Sequence, residues 1–335
     1  MPLTRFFSLA LKHNASDVHL VGGEYPYLRI DGVLHASEEK IINDTELRHF
    51  LTSLLTAPQK HRFDEELELD IALEIEKARF RINIHQQQGR IGMAARLILT
   101  EIPTPEDLGI TDSMLALTEL RDGLVLMTGP TGMGKSTTLA SLIDYVNQRR
   151  KEHIITIEDP TEFIIEGVES MIEQREVGID THSFAEALKH VLRQDPNVIL
   201  IGEMRDPETI ATALTAAETG HLVFSTLHTP TAVETIGRIV DVFPGDKQKY
   251  ILTQLASVLR GVIAQQLYPR LDGGRVAARE LLIINSAARN LIRENNVAQL
   301  KSVIQTGSKE GMMTMEQSVK ELVKNKIIDK RFLPE

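Results

Sequence analysis

The stretch GPTGMGKSTT, residues 129–138, has the residue types and spacing of a phosphate-binding loop. It matches the pattern Gly-x-x-x-x-Gly-Lys-Ser, in which glycines let backbone N–H groups turn toward phosphate oxygens. Lys135 would neutralise charge on the β- and γ-phosphates, and the Ser136 hydroxyl would bind Mg²⁺. We therefore predict an ATP site formed by Gly129, Pro130, Thr131, Gly132, Met133, Gly134, Lys135, Ser136 and Thr137.

Hydrolysis of the bound nucleotide would need carboxylates near the metal and near the attacking water. Polar residues follow three predicted strands, and the carboxyl ends of parallel strands meet at one edge of a sheet. Acidic residues in such places also commonly cap helices or lie in solvated turns. The candidates are Glu158, Asp159 and Glu162 in TIEDPTEF, Glu203 and Asp206 in ILIGEMRD, and His228 in HLVFSTLHT, with His221 as a weaker one.

Glu158 and Glu203 are predicted to share the positioning of water and Mg²⁺ with Ser136, directly or through water. The sequence does not decide which of them is the general base. His228 is predicted to hydrogen-bond the γ-phosphate.

These residues need a parallel sheet covered by helices, and the chain from about 123 has that pattern. Buried strands alternate with helices, and STTLASLIDYVNQ is the helix predicted after the phosphate-binding loop. The last 90 or so residues are predicted to be helical, with a capping box formed by Thr314 and Gln317. The strand candidates are GLVLMT, HIITIE, NVILIG and HLVFSTLH.

Residues 1 to about 100 predict a separate, small α+β unit. Helices are expected at LTRFFSLALKH and from about Asp44 to Arg62, and Asp31-Gly32 predicts a hairpin between two strands. LELDIALEI (67–75) alternates as a half-buried strand does. The predicted domains are 1–100, a linker at 101–112, and 113–335 with a helical part from about 245.

Two further strands of this unit carry arginines. ARFRINIH (78–85) places Arg79, Arg81 and Asn83 on its polar face, and GMAARLIL (92–99) contains Arg96 near its middle. A solvated strand face with ordinary ion pairs would explain these arginines equally well on sequence alone.

Composition excludes several classes of protein. The 335 residues include no cysteine, so neither a disulfide scaffold nor a thiolate zinc site is possible. The formal net charge of −10 and the absence of tryptophan argue against a broad nucleic-acid-binding face. We expect no zinc and no nucleic-acid partner. No run of about 18 apolar residues is present.

Four motifs in order resemble the secretion ATPase superfamily, the motors of type II secretion and type IV pili. GPTGMGKSTT is similar to its Walker A motif, IEDPTEF to its Asp box, ILIGEMRD to its Walker B motif and GHLVFSTLHT to its His box. ASDVHL and RFRINIH resemble its N-terminal signatures. Departures are Met133 for a common serine, which supplies backbone only, and Asn197 for a usual aspartate.

Within that superfamily the chain most resembles the pilus retraction ATPases, the PilT family. AARNLIREN (287–295) resembles their C-terminal motif, with Ala288 in place of isoleucine, and GMMTMEQS (311–318) resembles the stretch after it. The chain also lacks the cysteines of a zinc site common in extension and secretion ATPases, and it is expected to lack their extra N-terminal domain.

The resemblance implies an α/β fold with a RecA-like P-loop ATPase core, a smaller PAS-like N-terminal α+β domain and a helical C-terminal region. It further implies a homohexameric, cytoplasmic motor, peripheral at the inner membrane, that hydrolyses ATP and acts on a pilus platform protein. Arg81 and Arg96 would reach ATP bound by a neighbouring domain, with Arg79 assisting. The alternatives are an extension or secretion ATPase, an accessory retraction ATPase, a nucleic-acid-translocating motor or a non-hydrolysing regulator.

The segment NSAARNLIREN predicts an amphipathic helix. Ser286 could cap its start, Ala288, Leu291 and Ile292 share an apolar stripe, and Arg289 and Arg293 share another face. Periodicity alone indicates an ordinary packing helix. The resemblance to the retraction motif implies a role in transmitting movement.

Overall fold

The computed structural model describes residues 3–76, 78–98 and 101–333 and divides the chain into two compact units at residue 101. Among these residues, no helix is both long and apolar enough to cross a membrane. Leu99, the last residue of a predicted strand, lies outside the described residues.

The first unit is a six-stranded antiparallel sheet with the strand order β3-β2-β1-β6-β5-β4. Its elements are α1 (Arg5–Lys12), β1 (Asp17–Val21), β2 (Tyr27–Ile30), β3 (Val33–Ala36), α2 (Asp44–Leu54), α3 (Ala57–Glu66), β4 (Glu68–Ile75), β5 (Ala78–Gln87) and β6 (Arg90–Ile98).

The hairpin predicted at Asp31-Gly32 is present, and both residues have the positive φ angles that a tight two-residue turn requires. The single helix predicted from about Asp44 to Arg62 is wrong. The chain leaves helical geometry at Leu55, and Thr56 starts a new helix through a capping box with Gln59. A local capping signal therefore outweighed the continuous apolar pattern.

The core of this unit lies on one face of the sheet. Phe7 of α1 packs edge-on against Phe80 of β5, with ring centroids 4.8 Å apart. Ile82 and Ile84 are also fully buried. Since side chains alternate along a strand, the intervening Arg81 and Asn83 lie on the other face, as predicted.

The second unit contains a seven-stranded sheet with the order β13-β12-β7-β11-β10-β8-β9. Five neighbouring pairs are parallel and the pair β12–β13 is antiparallel. Its elements are α4 (Asp112–Leu115), β7 (Gly123–Thr128), α5 (Lys135–Asn147), β8 (His153–Glu158), β9 (Met171–Glu176), α6 (Phe184–Val191), β10 (Val198–Ile201), α7 (Pro207–Glu218), β11 (Leu222–Leu227), α8 (Ala232–Asp241), α9 (Gly245–Val258), β12 (Leu259–Pro269), β13 (Arg275–Ile283), α10 (Ser286–Arg293), α11 (Leu300–Thr306) and α12 (Met315–Lys324).

All four strands predicted in this unit are present, and they are parallel. The prediction that the chain is helical from about 245 is wrong for β12 and β13. LRGVIAQQLYP and RVAARELLI do not alternate strictly, because β12 is covered on both faces and the apolar faces of β13 are interrupted by Arg279 and Glu280. Burial on both faces removes the two-residue period that identifies a strand in sequence.

The C-terminal helices begin at well-formed caps. Thr314 and Gln317 form the predicted capping box of α12. The cap of α10 is Asn285, whose side chain accepts a hydrogen bond from the backbone of Ala288, so the prediction of Ser286 is wrong by one residue. Ala288 and Ile292 are fully buried, which confirms the apolar stripe of this helix.

Candidate nucleotide-binding site

The phosphate-binding loop joins β7 to α5 and bends tightly over β12. A Cβ atom on Gly129 would lie 2.3 Å from the backbone oxygen of Gln265, and the φ angle of Gly129 is +144°. Only glycine fits both the space and the backbone angle. Lys135 is the first residue of α5, so its ammonium group lies at the end where helix N–H groups attract anions.

The ammonium group of Lys135 is buried within the loop. Its Nζ donates to the backbone oxygens of Gly129 at 2.6 Å and Pro130 at 3.1 Å. Burial lowers the pKa of Lys135, and the nearby Glu162 and Glu203 partly oppose that shift. A buried cation that donates to neutral carbonyls fits a phosphate ligand, because an anion would supply the missing charge.

Glu158 ends β8, where its side chain is half-buried and hydrogen-bonded. Its Oε1 accepts from Thr156 Oγ1 at 2.7 Å, and its Oε2 accepts from the backbone of Glu162 at 3.4 Å. Burial raises the pKa of Glu158, while these hydrogen bonds oppose the rise. Ser136 lines the same small cavity as Glu158. A hydroxyl and a carboxylate beside a phosphate-binding loop are suitable oxygen donors for Mg²⁺, directly or through water.

His228 connects the loop with the second acidic residue. Its Nε2 lies 3.2 Å from Glu203 Oε2, and its Nδ1 lies 3.5 Å from Lys135 Nζ. Strand order explains this, since β11 lies between β7 and β10 in the sheet. Arg205 also contacts the Glu203 carboxylate, at 2.8 Å. The structure therefore brings Lys135, Ser136, Glu158, Glu203 and His228 to one edge of the sheet.

The structure does not place the remaining polar candidates among these five residues. Asp206 caps α7, accepting from the Thr209 backbone at 2.8 Å, and Asp159 precedes the cis-proline Pro160. Glu162 is exposed. His221 immediately precedes β11, at the opposite end of that strand from His228, and contacts the Ala216 carbonyl at 2.9 Å, so the structure does not bring it to this site.

Arg81 and Arg96 lie together on the polar face of the first unit. They are direct cross-strand partners on β5 and β6, and they line an open pocket with Asp17 and Asn83. Arg96 Nε donates to the buried Asp17 at 3.0 Å, yet 68% of the Arg96 side chain is exposed. The Arg96 guanidinium is therefore held in place by Asp17 through Nε and remains accessible to solvent.

Gln265 and Arg279, which lie beneath the loop, were not predicted as site residues. Gln265 Nε2 donates to the Met133 backbone oxygen at 2.7 Å, and Gln265 Oε1 accepts from Thr138 Oγ1 at 2.9 Å and from Arg279 Nε at 2.7 Å. The polar pair in the apolar run VIAQQL of β12 was the available signal, since buried polar side chains need partners.

The family model for type II/IV secretion system proteins matches residues 2–326 of this chain. The chain belongs to the type II/IV secretion system protein family. This confirms the superfamily resemblance of its four motifs.

Relatives within this family are similar over nearly the whole chain. The type IV pilus retractation ATPase PilT of Pseudomonas aeruginosa is 44% identical over 98% of this chain and 96% of its own length. A twitching motility protein of Neisseria gonorrhoeae is 46% identical over 90% of this chain and 82% of its own length.

A solved structure agrees with these relatives. The crystal structure of the pilus retraction motor PilT with bound ADP has a TM-score of 0.91 and 44% identity, covering 99% of this chain and 95% of the other. The predicted α/β ATPase fold and the resemblance to the PilT family are both confirmed.

Proposed function

We propose that this chain is an ATP-hydrolysing motor that drives retraction of a type IV pilus. The contacts of His228 carry the proposal. Its imidazole contacts both Lys135, the cation that would bind phosphate, and the carboxylate of Glu203. The relatives described as a pilus retraction ATPase, a twitching motility protein and an ADP-bound retraction motor support it.

Each residue of the site then has a chemical role. Lys135 and the loop hold the phosphates, and Ser136 with Glu158 and Glu203 would hold Mg²⁺ directly or through water. The metal would neutralise charge on the β- and γ-phosphates. A carboxylate that orients water and an imidazole beside the γ-phosphate would assist attack. The raised pKa of Glu158 suits a proton acceptor better than that of an ordinary carboxylate would.

The two arginines of the first unit complete the proposal. Guanidinium groups are permanently charged and can grip phosphate oxygens in pairs. Arg81, which is half-buried, and Arg96, which is exposed, are directly paired across β5 and β6 and could approach a phosphate together. We infer that they act on ATP held by a neighbouring copy in a homohexameric ring, with Arg79 assisting, and that the ring works at the cytoplasmic side of the inner membrane on a platform protein.

The catalytic part is tested by turnover of purified protein. Lys135→Ala should remove ATP hydrolysis, because the loop loses the charge that binds the β- and γ-phosphates. Ser136→Ala should retain binding of ADP and require a higher Mg²⁺ concentration for turnover. Turnover of Lys135→Ala at the wild-type rate would contradict the site.

The motor's direction is tested by deleting the gene in its host. A retraction motor predicts more surface pili and no twitching, whereas an extension motor predicts no pili. An accessory motor predicts that twitching survives when a partner ATPase is present. Stimulation of turnover by DNA would instead support a nucleic-acid translocator.

A further inference from the structure

Arg279 is a charged side chain buried in the middle of the second unit. It lies on β13, and only 3% of the residue is exposed. Among the residues that the structure describes, no carboxylate forms an ion pair with it. Its guanidinium instead donates to four neutral oxygens, which belong to Gln265, Leu108, Gly109 and Thr138. Burial lowers the pKa of Arg279 to about 10.

One side of this network ends at the phosphate-binding loop. Arg279 Nε donates to Gln265 Oε1 at 2.7 Å, and the same oxygen accepts from Thr138 in the first turn of α5. With its oxygen occupied, the Gln265 amide has its Nε2 directed at the Met133 carbonyl at 2.7 Å. Arg279 therefore fixes the orientation of the amide that holds the loop.

The other side of the network ends at the stretch that follows the first unit in sequence. Arg279 Nη1 donates to the backbone oxygens of Leu108 at 2.8 Å and Gly109 at 3.2 Å. Leu108 also packs against the apolar core beside β7 and α5. One guanidinium thus joins two backbone segments that are far apart in sequence.

We propose that Arg279 is a positioning residue that couples the phosphate-binding loop to the segment 104–110. It orients Gln265 toward Met133 and simultaneously holds the carbonyls of Leu108 and Gly109. A buried charge is costly unless fully hydrogen-bonded, so its bonds to both segments favour one joint arrangement. Nucleotide binding at the loop then changes the stability of segment 104–110, which lies near the start of the second unit in sequence. This inference rests on the proposed binding of nucleotide by the loop.

Gln265→Glu separates the two sides of the network. The carboxylate still accepts from Arg279 and Thr138, but it replaces the Nε2 donor to Met133 with an oxygen. An ion pair with Arg279 should keep the protein folded. The matched control is Gln266→Glu, which adds the same charge at the next residue of β12, whose side chain points to the other face. Arg279→Met removes the whole network, and Arg275→Met is its control on the exposed end of β13.

Two measurements on the full chain decide the matter: ADP affinity by calorimetry, and hydrogen exchange of the backbone amides at 104–110 with and without ADP. In the wild type, ADP should slow exchange at 104–110. Gln265→Glu should bind ADP about tenfold more weakly, the effect of one lost buried hydrogen bond. At saturating ADP it should also lose the slowing at 104–110 while keeping the wild-type melting temperature and the basal exchange of that segment.

Wild-type ADP affinity in Gln265→Glu, or ADP-dependent slowing that persists in it, would overturn the coupling. Absence of any slowing in the wild type would do the same. If Arg279→Met does not fold, Gln265→Glu alone decides. Lys135→Ala distinguishes this failure from a wrong nucleotide site: if it binds ADP as the wild type does, the loop is not the nucleotide site and the proposed function fails first.

Discussion

The imidazole of His228 lies 3.2 Å from the carboxylate of Glu203, although the two residues follow different strands, β11 and β10. The contact forms because β10 and β11 are parallel neighbours whose carboxyl ends meet at one edge. His228 therefore links Glu203 to Lys135 through the two nitrogens of its ring.

Glu203→Gln should slow ATP turnover by about 10²-fold or more, because the amide cannot take a proton or hold Mg²⁺ as a carboxylate does. ADP affinity should change much less. Glu158→Gln should behave in the same way. Steady-state turnover and calorimetry measure the two effects. Asp206→Asn, which changes a helix cap and not the site, is the control. Normal turnover in both glutamine variants would refute the assigned roles.

Thr156→Val should move the acidic limb of the pH–rate profile for ATP turnover to higher pH. Burial already raises the pKa of Glu158, and the hydrogen bond from Thr156 opposes that rise. Without this bond the pKa rises further, so the active carboxylate is lost sooner as pH falls. Thr226→Val is the matched control, because Thr226 lines the same cavity but donates to the Gly202 carbonyl. An unchanged acidic limb would show that Glu158 does not control the profile.

Arg81→Ala combined with Arg96→Ala should reduce turnover by about 10³-fold, the size of effect that arginine fingers have elsewhere. Mixing this double variant with Lys135→Ala should restore part of the activity, since one copy supplies an intact ATP site and the other supplies the arginines. Arg62→Ala, an exposed arginine on α3, is the control. If mixed rings form and ATP turnover is still not restored, the arginines do not act on ATP held by a neighbouring copy.

Arg293→Ala should impair pilus retraction while ATP turnover is retained at least in part. Arg293 is exposed on α10, whereas Arg289 is half-buried and its Nε is buried without a hydrogen-bond partner among the described residues. Arg293 is therefore the cleaner probe of the two arginines. Twitching and turnover are measured together, with Lys301→Ala on α11 as the control. Retraction at the wild-type rate would make α10 a packing helix only.

The sequence predicted the structure most accurately where function depends on a few contiguous residues. The loop from Gly129 to Ser136 is both a motif and a complete local structure, because its backbone does the binding. The four central strands were found because each is a short apolar run with a distinct end. Bringing Glu158, Glu203 and His228 together followed from parallel pairing, which the alternation of strands and helices predicts.

The rest depended on contacts between distant residues. Arg279 on β13 donates a hydrogen bond to Gln265 on β12, and the residues adjacent to each in sequence do not indicate its partner. Asn285 and Ser286 are both good caps, and the choice between them depended on where β13 ended. The pairing of Arg81 with Arg96 required the register of β5 and β6, which periodicity alone does not specify.

The exposed edge strand β3 has a practical consequence. All four residues of β3 are exposed, Val33 to 57%, and the chain contains no cysteine. A thiol introduced at Val33 and another at the exposed Tyr250 of α9 would be the only two in the molecule. Dyes attached there would report, by energy transfer in single molecules, whether the separation of the two units changes during turnover, with no native thiol to remove first.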